Sequence, residues 1–294
     1  MARSAAAVER IDGDSIRRFD VNQRIQHIMM FSSFIFLAIT GLPIKFSDWA
    51  ISQWWMGVWG GIDNLRAVHH GAAWVMMAAC LYHLAYLLVS VTVLKRPFPT
   101  KMLPRFKDLK DFVQDVKYYV GLSKEKPKFD RFSYREKFDY WAVGWGIIMM
   151  VGGGLILMFP VGAAKILPGW AIPFALVAHS DEAVLAVGWI VIVHMYFAHL
   201  HPLVFPMNKS IFTGKVPILR YREEYPLEYA ELMASSPAAA AALTAGALSG
   251  EAEAAEREPE VTIPADAVLA LAAEVLDGEY RFRGGGAERE TDTA

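Results

Sequence analysis

Four stretches of this chain are long and apolar enough to cross a bilayer, and they constrain its fold more than anything else in the sequence. A spanning helix needs about 20 predominantly apolar residues, and such windows occur at about 25–44, 67–94, 138–160 and 179–200. Within lipid a segment must satisfy its own backbone polar groups, so each is expected as a helix. The whole chain is 54% hydrophobic over 294 residues, with mean hydropathy +0.27, which excludes a simple soluble globule. The expected fold class is an all-α membrane protein. Its expected architecture is a four-transmembrane-helix bundle with interfacial amphipathic helices and a disordered cytoplasmic C-terminal tail.

The charges between the spans orient the bundle. Lys and Arg gather in loops on the cytoplasmic side. Three segments are rich in them: the N-terminus (Arg3, Arg10, Arg17, Arg18, Arg24), the loop 95–137, and the stretch after the fourth span (Lys209, Lys215, Arg220, Arg222). The loops 45–66 and 161–178 are poor in them, with Lys45 and Arg66 in one and Lys165 in the other. Both termini are therefore expected inside. The N-terminus shows no cleavable-signal pattern, because about 24 polar residues precede the first apolar run. The expected organisation is an N-terminal segment 1–24, a membrane domain 25–222 and an acidic, Ala-rich tail 223–294.

Two loops carry amphipathic signals. Trp49, Trp54, Trp55 and Trp59 favour the membrane–water interface, so 45–66 is expected to form a short helix on the outer face. In the middle loop Phe106, Leu109, Phe112, Val113, Val116 and Tyr119 recur at near-helical spacing, which predicts an amphipathic helix on the inner face. Attraction to anionic lipid accounts for its lysines, with no nucleic acid implied. From about residue 235 onward the composition points to disorder, apart from one short helix expected at 262–276.

The single cysteine, Cys80, excludes a disulfide framework, an intrachain covalent haem site and a Cys-ligated iron–sulfur cluster. The histidines are more telling. His27 opens the first span. His69 or His70 opens the second, and His83 lies fourteen positions after His69. His179 opens the fourth, and His194 follows fifteen positions on. At about 1.5 Å per residue, each interval is roughly 20 Å along a helix, which separates two haems stacked near opposite membrane faces. Ionisable residues inside spans are costly and usually functional. A haem b requires two imidazoles presented from neighbouring helices to opposite faces of the ring. Alternating span directions put His179 and either His69 or His70 at the outer level. His27, His83 and His194 share the inner level, three candidates for two positions. Taken singly, each histidine reads as a hydrogen-bonded core residue; their matched depths favour ligation and transmembrane electron transfer. Gly41, Gly71, Gly152, Gly153, Gly154 and Gly188 allow close approach of a helix or of a flat macrocycle.

Arg24-Ile25-Gln26-His27 with Thr40-Gly41-Leu42, Arg66-Ala67-Val68-His69, and His179 and His194 followed by Tyr196 together resemble a known pattern. It is that of the membrane cytochrome b subunits of formate dehydrogenase gamma type, nickel–iron hydrogenases and thiosulfate reductases, and it covers about 18–215. The resemblance implies two b haems, an inner one on His27 and His194 and an outer one on His69 and His179. It also implies a menaquinone or ubiquinone site near the inner haem. Asn22, Gln23, Arg24, His83, Tyr196, His199 and His201 are candidates for the quinone or its protons there. Asp181 and Glu182, expected at the outer end of the fourth span, are candidates for a proton path or a partner contact. Further implied are an iron–sulfur or multihaem c-type partner, a catalytic subunit elsewhere, and a place in the bacterial cytoplasmic membrane.

His70, His83, His199 and His201 depart from that pattern. They leave room for an ascorbate-type carrier whose inner haem uses His83 and His194, or for a third haem on His83 with His199 or His201. A haem-free anchor and a histidine-relay transporter are the competing classes. The anchor predicts histidines scattered in depth, and the transporter predicts internal repeats and broken helices.

Overall fold

A computed structural model describes residues 10–235 and 237–257. In chain order its elements are β1 (Ile11–Asp12), β2 (Ser15–Arg17), α1 (Val21–Lys45), α2 (Ala50–Val58), α3 (Ile62–Thr92), α4 (Phe106–Tyr119), α5 (Tyr134–Met158) and α6 (Ala171–Leu200). They continue with β3 (Lys215–Pro217), α7 (Ile218–Glu224), α8 (Pro226–Ser235) and α9 (Pro237–Arg257). Helices α1, α3, α5 and α6 are long and apolar enough to cross a membrane. They form a four-helix bundle in which α1 packs on α3 and α6, and α5 packs on α6 and α3.

Local chemistry sets where these helices begin. Asp20 caps α1 in a reciprocal box: its carboxylate accepts from the Gln23 amide at 2.9 Å, and its own amide donates to the Gln23 side chain at 3.0 Å. The other Asp20 oxygen accepts from the Tyr86 hydroxyl at 2.7 Å, tying the start of α1 to α3. Ser133 and Glu136 form the same box at the start of α5. Helix α6 starts at Ala171, just past the Pro168–Gly169 turn, and carries Pro173 in its first turn, where a missing N–H is harmless. His201, in extended conformation before Pro202, ends it.

The span starts lie further out than hydropathy suggests, because polar or turn-forming residues lie in the first turn of all four helices. His69 stands seven residues inside α3 and His179 eight inside α6, so neither opens its helix. Asp181 and Glu182 likewise sit well within α6 rather than at its N-terminus. Asp181 accepts from Lys45 at 2.5 Å, at the last turn of α1.

Both amphipathic elements are present. Trp49, just before α2, and Ile51, Trp54 and Val58 on it are exposed, while the Trp55 indole donates to the Ile39 carbonyl at 2.8 Å. Helix α4 turns its acids toward the protein: Asp108 pairs with Lys137 at 2.8 Å, and Asp115 accepts from the Tyr134 hydroxyl at 2.7 Å and pairs with Arg135. Its apolar face, from Phe106 through Phe112 to Tyr119, is exposed. A helix with buried acids and an exposed apolar stripe suits a lipid interface.

At the same end of the bundle the chain builds a small polar-to-apolar cap. The antiparallel sheet β1-β2-β3 pairs Ile16 with Val216. Those two residues join Ile218, Tyr221, Tyr225, Leu232, Ala239 and Leu243 in a continuous core. Residues 237–257, within the region expected to be disordered from about 235, are instead helical. Helix α9 forms because its Ala-rich sequence is strongly helix-favouring, and Ala239, Leu243 and Ala247, four residues apart, bury one stripe. The helix expected at 262–276 lies outside the described residues.

Arg18 sits at the centre of this cap, 4% exposed. It donates to Glu136 at 2.6 Å and to the Arg131 carbonyl at 2.9 Å, and lies 4.0 Å from the centroid of the Tyr225 ring. A buried charge is tolerated only when paired in this way. Glu228 takes hydrogen bonds from Arg10 at 2.8 Å, Arg131 at 3.1 Å and the Tyr221 hydroxyl.

Candidate functional site

The bundle brings four histidines together as two pairs. His69 of α3 faces His179 of α6, with ring centroids 6.4 Å apart and planes at 72°. His27 of α1 faces His194 of α6, with centroids 6.5 Å apart and planes at 31°. Two imidazoles bound on opposite sides of one metal, at about 2.0 Å each, have ring centroids roughly 6 Å apart. Both pairs have that spacing. It is too wide for stacked rings in contact and too wide for a direct hydrogen bond between them.

Hydrogen bonds hold three of these rings by the same nitrogen. His69 Nδ1 lies 2.9 Å from the Thr40 hydroxyl. His179 Nδ1 lies 3.0 Å from the Met150 carbonyl, to which it donates. His194 Nδ1 lies 2.9 Å from Asp139 Oδ2. Each arrangement fixes the ring and leaves Nε2 for another bond, which is how metal-ligating histidines are held. His27 has a buried Nδ1 without a hydrogen-bond partner among the described residues.

Glycines give the outer rings their room. A Cβ on Gly41 would come 3.0 Å from His69 Cε1, and one on Gly154 would come 3.2 Å from His179 Cε1. Gly153 meets His179 Cβ at 3.2 Å in the same way. Two glycines of the α5 run thus serve a histidine on the next helix, while Gly71, Gly152 and Gly188 meet nothing within 4 Å.

The last part of α6 is wound more widely than an α-helix. The Met195 amide bonds to the Ile190 carbonyl, and the His201 amide to the Tyr196 carbonyl at 2.8 Å, both over five residues. In an α-helix, side chains five apart point about 140° apart; the wider five-residue bonding narrows that angle. Trp189 and His194 consequently reach the same carboxylate: the Trp189 indole donates to Asp139 Oδ1 at 2.7 Å while His194 takes Oδ2.

The remaining candidates are placed differently. His83 has both ring nitrogens engaged, Nδ1 with the Gln26 side-chain oxygen at 2.8 Å and Nε2 with the Tyr140 hydroxyl at 2.9 Å. His70 contacts His69, with centroids 6.5 Å apart. His199 lies five residues beyond His194, and His201 packs against Tyr196 and Phe197 outside the span. Asn22 accepts from the Tyr82 hydroxyl at 2.7 Å, Gln23 caps α1, and Arg24 donates to the Phe212 carbonyl. Among the described residues no side-chain hydrogen bond or ring contact joins Asn22, Arg24, His83 and Tyr196 to one another. Gln26 and Thr40 stand in the motifs that carry the resemblance but have no role legible there, and Asp139 and Tyr140 go unremarked in the sequence. Their signal is the presence of polar residues near the opening of an apolar span that has no histidine of its own.

No curated protein matches the chain. The family of prokaryotic cytochrome b561 matches residues 18–214, which takes in all four membrane helices and both histidine pairs. The donor set, two imidazole pairs at metal-spanning distance in a four-helix membrane bundle, fits the haem b that this family implies. The chain therefore belongs to the prokaryotic cytochrome b561 family, and is a membrane b-type cytochrome that carries electrons.

Proposed function

We propose that the chain is the membrane subunit of a respiratory oxidoreductase, linking a redox partner at one membrane face to the quinone pool near the other. Two non-covalent b haems serve this path, one held by His69 and His179 and one by His27 and His194. The observation that carries the reading is the pair of imidazole pairs at matched spacing, both anchored on α6. Haem b, when bound, supplies a one-electron iron couple inside the low-dielectric bundle.

The protein's own contribution is positional. Thr40, Met150 and Asp139 orient three rings, and Gly41, Gly153 and Gly154 let the outer rings fit between helices. Helix α6 spans both levels, so the two pairs are held on one rigid element roughly 20 Å apart or somewhat less. The Lys- and Arg-rich end, with both termini, faces the cytoplasm. An iron–sulfur or multihaem c-type subunit, with a catalytic subunit behind it, docks at the opposite end near α2.

Support for the quinone comes from the cluster beside the inner pair. Gln26 precedes His27 and Tyr140 follows Asp139, so the Gln26–His83–Tyr140 group lies at the inner level. The Gln26 side-chain nitrogen is buried without a partner among the described residues. A quinone carbonyl is the type of acceptor it lacks, and His83 with Tyr140 offers a route for protons. This set replaces Asn22, Arg24 and Tyr196 as the headgroup site.

The test is haem content per chain in detergent-purified protein. Two extractable b haems are expected. His27→Ala is expected to lower the count to one and His83→Ala to leave it at two. The reverse pattern would favour the ascorbate-type arrangement, and three haems would bring in His199 or His201.

A further inference from the structure

Resting on the two-haem reading above, we infer that Asp139 is a positioning residue that sets the two haem sites to different potentials. Its carboxylate makes the His27–His194 site the more easily oxidised of the two.

The asymmetry lies in what each pair's Nδ1 atoms meet. At the His69–His179 pair the partners are a hydroxyl and a backbone carbonyl, both uncharged. At the His27–His194 pair the single partner is the Asp139 carboxylate, 2.9 Å from His194 Nδ1. With Nε2 committed to iron, Nδ1 carries the ring proton and donates it to Oδ2. The Trp189 indole, a donor only, occupies Oδ1 at 2.7 Å. Both oxygens thus act as acceptors, as an ionised carboxylate does.

A negative charge beside the ligand favours the oxidised iron, whose bis-imidazole haem bears one positive charge more than the reduced form. The hydrogen bond also makes the imidazole a stronger donor to the metal. Both effects act in the same direction, and the apolar surroundings of the bundle weaken the screening that would cancel them. On the same helix Asp181 is paired with Lys45 and brings both signs together, and Glu182, whose carboxylate lies by Gly146 of α5, is not among the partners of the ring nitrogens, which are Thr40, Met150 and Asp139. An electron shared between the two sites then resides on the His69–His179 side, so electrons entering at the inner pair run downhill outward.

The wide turn of α6 draws Trp189 and His194 toward one face, where both bond the same side chain on α5.

The experiment is a spectroscopic redox titration of the full-length haem-loaded protein, following each haem separately. The wild type is expected to titrate in two waves. Asp139→Asn should move the lower wave up by at least the equivalent of a tenfold change in the reduced-to-oxidised ratio, about 59 mV for one electron, with the upper wave in place. Asp139→Glu, which keeps the charge, should restore most of the separation. Two retained haems with both waves unmoved in Asp139→Asn would overturn the inference and leave the two-haem reading standing. Should Asp139→Asn lose haem, the decision passes to Asp139→Glu: a lower wave near the wild-type position supports the inference, and one coincident with the upper wave overturns it. A His194→Ala chain that keeps its full haem content would instead overturn the reading on which the inference rests.

Discussion

Gly41 of α1 lies so close to His69 of α3 that a Cβ there would stand 3.0 Å from the ring's Cε1. Thr40, its neighbour, is fully buried and holds the same ring at Nδ1. One helical turn of α1 thus positions the His69 imidazole by a contact and a hydrogen bond. Gly41→Ala should be tolerated with a shifted ring, because the contact is tight but side-chain only. Gly41→Val should expel the ring and remove the outer haem while leaving the inner one. Haem counts and the reduced spectrum of each variant check this; equal haem loading in Gly41→Val would show that the glycine is not needed.

The ring-plane angles lead to a spectroscopic expectation. The His27–His194 planes are 31° apart and the His69–His179 planes 72° apart. In low-spin ferric haem, near-perpendicular axial imidazoles give a more anisotropic resonance than near-parallel ones. Electron paramagnetic resonance of the oxidised protein should show two low-spin species, the outer with the larger maximum g value. His179→Ala should remove that species and His27→Ala the other.

The cap yields a pH dependence. Burial pushes the Glu228 carboxyl up, but Arg131 and Arg10, with the Tyr221 hydroxyl, outweigh it and hold its pKa at about 2. In the unfolded chain the carboxyl returns to its ordinary value of 4.5. A depressed folded pKa contributes stability above the unfolded value and loses it as pH falls toward the folded one. The cap should therefore weaken between about pH 4.5 and 2, by on the order of 3 kcal/mol in all. Glu228→Gln should flatten that acid limb and lower stability at neutral pH. Limited proteolysis of the 10–18 and 215–247 segments against pH measures both.

Hydropathy alone located the four membrane helices, because lipid demands long apolar helices whatever surrounds them. The two histidine levels were equally legible, since they need only span direction and residue count: His179 with His69 or His70, and two of His27, His83 and His194, the choice among them coming with the resemblance. The helix starts were not: Asp63, Arg66 and Pro173 sit inside α3 and α6, where composition alone reads as loop. Nor was the cap, whose strands have two or three residues and whose α9 stripe consists mostly of alanine. Asp139 escaped for a different reason. Its place beside His194 depends on five-residue winding in α6, and no periodicity in 190–200 announces that winding.

His83 offers the sharpest separation between ligand and proton carrier. Both of its nitrogens are spoken for, by Gln26 on α1 and Tyr140 on α5. A ligand to iron must leave one nitrogen for the metal, so His83→Gln should keep both haems and both redox waves. Loss of its proton route should instead slow quinone turnover at least tenfold, with electron transfer to an artificial acceptor at the outer end unchanged. Tyr140→Phe breaks the same chain at the next link and should show the same split. The assay is quinol oxidation by the full-length protein in liposomes, run beside direct reduction of the haems. Equal loss of both activities in His83→Gln would mean that the residue supports the inner haem itself, and would return it to the set of ligands.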